Sequence, residues 1–118
     1  MSPGHPSFDR GTRLFDRGSF FEAHEAWEEL WRGETDPRKR LFLQGLIQIA
    51  AGFHKLFVVG SPESATRLLG RGLSKLDGLS TEPAGVDLGA LRDGVNRCIQ
   101  SLRVGQIAQV VAPRIGLK

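Results

Sequence analysis

DPRKRLFLQGLIQIAAGFHKLFVVG, residues 36–60, is the stretch that decides the fold. Asp36 followed by Pro37 is a strong helix start. The carboxylate can accept from the first free backbone N–H groups, and proline has no N–H to leave unpaired. The helix is expected to run to about Val59. Leu43, Leu46, Ile47, Ala50, Phe53, His54 and Phe57 recur at helical spacing. At about 100° per residue, nearly the whole circumference is apolar. Gln44, Gln48 and Lys55 leave one narrow polar stripe. A helix apolar almost all round must be surrounded by others, so this is the central helix of an all-α domain.

The flanking sequence supplies the neighbours. Ser19–Gly33, SFFEAHEAWEELWRG, reads as the preceding helix. Ser19 with Glu22 three residues on predicts a capping box. Phe8–Arg17 reads as the first helix, and Gly18 suits a left-handed cap at its end. On the other side Ser61-Pro62-Glu63 repeats the cap-and-proline start. The fourth helix buries Ala65, Leu68, Leu69, Gly72, Leu73 and Leu76. Gly70 and Gly72 each cost about 1 kcal/mol relative to alanine, which close helix contact would explain. Leu79–Val86 reads as a loop. Asp87 then caps a fifth helix with Leu88, Leu91, Val95, Cys98, Ile99 and Leu102 on one face. Ile107, Val110 and Val111 suggest a short helix before Pro113, and Ile115 with Leu117 a docking tail.

Leu14-Phe15-x-x-Gly18-Ser19-x-x-x-Ala23 recurs as Leu56-Phe57-x-x-Gly60-Ser61-x-x-x-Ala65. Each copy is a helix end, a glycine turn, a serine cap and an inner alanine. The expected architecture is therefore about five helices: two stacked helical hairpins plus a covering C-terminal helix. One helical domain spans 1–118, with a core of roughly 8–105, a flexible segment 1–6 and a tail 106–118 docking on the bundle.

The 118 residues are 40% hydrophobic and 25% charged, the balance of a soluble globular domain. No apolar run approaches the ~20 residues of a membrane span, so no membrane is expected. Met1–Pro6 lacks the basic and apolar regions of a signal peptide. Cys98 is the one cysteine, which excludes an internal disulfide and makes a reducing cytoplasm the default. It reads as a small core residue rather than a nucleophile. The net charge is +3. Arg67, Arg71 and Lys75 make a basic stripe at helical spacing, from which weak nucleic-acid binding is a secondary reading. No aromatic residues interleave with it, and the densest basic cluster is Arg38–Lys39–Arg40.

Chemistry could concentrate on the second helix. Phe20, Ala23, Trp27, Leu30 and Trp31 share its inner face. His24 and Glu28 lie one turn apart on the flank, Glu25 is intermediate, and Glu22 and Glu29 point to solvent. His54, on the central helix, could meet His24 and Glu28 where the helices pack. The first expectation is a buried His/Glu/Gln network in a non-enzymatic binding or interaction domain, since buried polar groups are normally paired. The alternative is a metal-dependent, hydrolase-like enzyme with His24, Glu28 and His54 as ligands of a divalent metal. His24-Glu25-Ala26-Trp27-Glu28 is one residue from a zinc-protease helix, but Glu28 stands where the second imidazole belongs. The Glu-x-x-His of di-iron bundles is absent, because Phe21 and Ala51 precede the histidines by three. No cofactor is expected under the first reading. The acidic face Glu22, Glu25 and Glu29 is solvated, or meets the basic stripe within the chain or across a homodimer formed through helical faces.

The run Gly18–Trp31, GSFFEAHEAWEELW, followed by Leu43–Lys55, LQGLIQIAAGFHK, resembles the prokaryotic family called domain of unknown function 309. Gly60–Leu69 resembles its next block, with Ser61 where the family typically has asparagine. The resemblance covers roughly residues 8–105. It implies a small all-helical cytoplasmic protein and no particular activity. Its characteristic positions are His24, Glu25, Glu28, Trp31, Gln44, Gly45, Gln48 and His54. A small residue at Gly45 would let another helix approach the central one.

Overall fold

The computed structural model describes residues 6–79 and 85–116. Five α-helices form its all-α bundle: α1 (Pro6–Asp16), α2 (Phe20–Gly33), α3 (Pro37–His54), α4 (Pro62–Asp77) and α5 (Leu88–Arg103). The segment 1–5, most of the loop expected over 79–86, and Leu117 lie outside the described residues.

Three helix starts form as the sequence predicts. Asp36 accepts from the N–H groups of Arg38 and Lys39 at 2.9 and 3.4 Å. Ser61 accepts from Ser64 at 3.4 Å, and Asp87 from Ala90 at 3.0 Å. The capping box at α2 does not form. Ser19 makes no side-chain cap bond, and its hydroxyl accepts instead from Arg17 Nε at 3.2 Å. The preceding turn explains the difference. With Gly18 at φ 89°, the N–H groups of Gly18 and Ser19 fold back onto Phe15 and Leu14. This tight closure holds the hydroxyl beside Arg17 rather than over α2.

The repeated glycine turn recurs at Gly60, φ 79°, with one change. The central helix is α-helical only to His54, and Lys55–Val59 is a π turn. The Ser61 N–H reaches Lys55 O, whereas Ser19 reaches Leu14 O, so the second turn closes around one more residue. Single π turns of this kind absorb an extra residue without breaking the helix.

An aromatic seam joins the first three helices. Phe8, Phe15, Phe20, Trp27, Phe42 and Phe53 are buried, with neighbouring ring centroids 5.1–6.2 Å apart. Trp27 Nε1 donates to Phe8 O at 3.4 Å. α3 and α4 approach through glycines. A Cβ on Gly72 would fall 2.7 Å from Gly45 O, and one on Gly45 would fall 2.9 Å from Leu76 Cδ2. Gly70 has nothing within 4 Å, so close contact explains Gly72 but not its neighbour.

Contacts between helices are strongest along the chain, from α1 through to α4, and α5 lies chiefly against α4. After α5 the chain turns at Gly105 (φ 78°) and makes a 3-10 turn at Ile107–Gln109. It then runs back as an extended strap. Cys98 Sγ donates to Val111 O at 3.3 Å. Pro113 sits so close to α5 that a Cβ on Gly94 would be 2.6 Å away. Finally the Ile115 and Gly116 N–H groups donate to the two carboxylate oxygens of Asp16, at 2.7 and 3.0 Å.

Pro37–Val59 is long and apolar enough, by length and composition, to cross a membrane. This amends the expectation that no stretch approaches a span. Gln44, Gln48, His54 and Lys55 interrupt the apolar run, but the residues around them are apolar enough to keep its mean hydropathy at 1.4. In the bundle 56% of its most apolar window is buried, as a core helix requires.

Candidate functional site

His24 and Glu28 do lie side by side on α2, with Nε2 and Oε2 3.4 Å apart. Glu28, however, faces outward. Its other oxygen accepts from Arg32 Nη2 at 2.6 Å, and its side chain is 33% exposed. A carboxylate on the flank gains more from a flexible surface guanidinium than from desolvation toward α3.

His54 does not join them by a polar contact. The ring of Phe21 stands 6.1 Å from the His24 ring and 5.3 Å from that of His54. Phe21, named above only as the residue three before His24, stands against both histidines. Nδ1 of His24, Nδ1 of His54 and Oε1 of Gln48 are shielded from solvent and lack a hydrogen-bond partner. The expected buried His/Glu/Gln network is therefore not present among the described residues. Nor do the described residues contain a group of three or more His, Cys, Asp or Glu able to hold a metal ion. This overturns the metal-dependent reading of His24, Glu28 and His54. The physical reason is the same in both cases: correct direction on a helix does not guarantee reach across an aromatic ring.

The remaining positions separate cleanly. Glu22, Glu25 and Glu29 are exposed. Glu25, Glu28 and Glu29 line a polar trough of about 350 Å³ with Arg10 and Arg32, remote from the central helix. Gly45 belongs to the α3–α4 crossing. Arg67 and Arg71 are exposed on α4 and Lys75 is half-buried. They make no ion pair with the acidic face of α2 among the described residues. A bare stripe of this kind is most often an ordinary solvated face.

Arg40 is a residue that sequence reasoning missed, having counted it only within a basic cluster. Its guanidinium lies 4.2 Å from the centroid of the Trp31 ring. The same group donates to the backbone oxygens of Trp31 and Glu34, each at 2.9 Å. It thus closes the C-terminal end of α2, where unpaired carbonyls attract a cation. Next to it, the Asp36 backbone N–H holds the Glu34 carboxyl below its ordinary value of 4.5. Burial pushes the Cys98 thiol above 9.0, in keeping with a core residue.

What these residues share is a face. Phe21, His24, Glu28 and Trp31 run along α2 at spacings of three and four. Gln44, Gln48 and Ala51 run along α3 in the same rhythm, and Lys55 and Val58 of the π turn continue the sequence spacing. All are half-buried except Phe21 and Val58, which are 47% and 66% exposed. This is the residue spacing with which one helix meets another.

Residues 8–68 match the domain of unknown function DUF309. The chain belongs to this family. DUF309 proteins are uncharacterised and all-helical, as the resemblance implied, and the matched region runs from α1 into α4. The chain is also similar to an uncharacterised protein of Aquifex aeolicus (strain VF5), 25% identical over 91 residues. The aligned region is 77% of this chain and 27% of that protein, so the chain spans about a quarter of the relative's length.

Proposed function

We propose that the α2–α3 flank is the surface through which two copies of this domain associate, making it a dimerising helical module. The observation that carries this reading is the pair of half-covered stripes on adjacent helices, with Phe21 and Val58 exposed along them. An isologous pair would set each stripe residue against the partner twice, so every apolar contact counts double. Within each copy, α1–α2 and α3–α4 act as two hairpins joined along α2 and α3, with α5 covering α4. The strong contacts between sequential helices support this grouping. In a longer chain, such a module would bring two copies of its neighbouring domains together.

Sedimentation equilibrium tests the proposal. Wild-type protein is expected to show a concentration-dependent dimer, and Val58→Asp, which places two carboxylates at the interface, to sediment as a folded monomer. Val58 is a surface residue, so folding survives the change. A wild-type monomer at all concentrations, or an unaffected dimer in Val58→Asp, refutes it.

A further inference from the structure

The strap that returns from α5 encloses a second feature, on a different side of the α2 start. Between it and the α1–α2 turn lies a groove of about 360 Å³. Its aromatic lining is Phe15, Phe20 and Phe57, and Val110–Pro113 form the opposite wall. Phe57 stacks on Phe20 and Phe53, with centroids 5.8 and 5.9 Å apart, and is still 48% exposed. The groove therefore has a preformed apolar floor with one ring half in solvent.

Charge completes the description. Arg17 and Arg114 line the groove and Asp16 is its one acidic residue. Asp16 is occupied: both of its oxygens accept N–H groups of the strap. Arg17 uses Nε on Ser19, which leaves its terminal nitrogens free to act. Arg114 has no ion pair among the described residues. Two guanidiniums beside an aromatic floor fit a molecule with an apolar body and a carboxylate head, because guanidinium donors match a carboxylate in pairs. The volume sits at the low end of the ~300–1,000 Å³ of ligand pockets, so the occupant is small. We propose that this groove binds a small amphipathic carboxylate, with the chain on Phe20 and Phe57 and the head between Arg17 and Arg114. The proposal is independent of the dimer, since it uses neither stripe of the α2–α3 flank.

Decanoate, decanol and decylammonium separate the contributions of charge and chain. Each is titrated below its aggregation concentration into ¹⁵N-labelled protein, wild-type and Val58→Asp. Decanoate is expected to shift the amides of residues 16–20, 110–112 and 114–116 in both proteins, and to bind about tenfold or more tightly than decanol, the scale of a charge-assisted hydrogen bond. Arg17→Ala/Arg114→Ala should remove that preference while leaving the spectrum folded. Equal affinity for decanoate and decanol, shifts centred elsewhere, or no saturable shift overturns the proposal.

Discussion

Two glycines of α4, two residues apart, should respond to alanine in opposite directions. Either substitution removes a helix-interior glycine, which by propensity alone stabilises by about 1 kcal/mol. At Gly70 nothing lies within 4 Å of the new Cβ, so the gain is kept. Gly70→Ala should stabilise by about 0.5–1 kcal/mol. At Gly72 the Cβ would stand 2.7 Å from Gly45 O and 2.7 Å from Ile49 Cγ1. A side chain could rotate away, but a carbonyl in mid-helix cannot, so α4 must lift off α3. Overpacking of this kind costs about 1–3 kcal/mol and loosens the contacts of Leu69 and Leu76 as well. The propensity gain offsets part of this, and Gly72→Ala should still be less stable than wild type, with the two variants separated by the overpacking cost, roughly 1–3 kcal/mol. Urea unfolding followed by far-UV circular dichroism gives both values, provided the m-values agree. If Gly72→Ala is as stable as wild type, the helices are not in backbone contact and the account of the crossing is wrong.

Two further predictions concern single side chains. Arg40→Ala removes two hydrogen bonds to the end of α2 and the cation over Trp31, and should destabilise by about 1–3 kcal/mol; Arg40→Lys should recover only part of this, because an ammonium cannot lie flat on the ring. The Cys98 thiol is held neutral by burial, above its ordinary 9.0. Iodoacetamide should therefore label native protein slowly near neutral pH and urea-unfolded protein quickly, and equal rates would contradict its burial. The folded state retains the proton longer than the unfolded one. Its stabilising effect is thus complete below the unfolded value and declines as pH rises through and beyond it.

The parts of the fold written in local chemistry were legible. Asp36-Pro37, Ser61-Pro62 and Asp87 each place an acceptor next to free N–H groups, and that chemistry needs no tertiary context. Gly18 and Gly60 are legible for the same reason, since both turns use positive φ. The all-apolar circumference of α3 correctly marked it as central. The π turn was hidden because α and π winding differ only in which carbonyl an N–H selects, a choice that carries no residue pattern of its own. The site was half legible. The wheel placed His24 and Glu28 on the flank of α2 and allowed His54 to meet them, but direction is not distance. Phe21 stands beside both imidazoles, and Arg32 draws Glu28 outward. Arg40 and Asp16 carried no signal at all, because their hydrogen-bond partners are backbone atoms reached only after the chain has folded.

The strap bonds of Asp16 join residues 99 and 100 positions apart in the chain. The main helix contacts, by contrast, link each helix to the next. A chain with mainly local contacts pays little loop-closure entropy and assembles quickly, helix upon helix. The strap has no such advantage, because Asp16 and Ile115 come within reach only once the helices between them are in place. Its closure is therefore expected to follow helix packing rather than to guide it. The groove beside it, with one wall made of strap, exists only where the strap has closed.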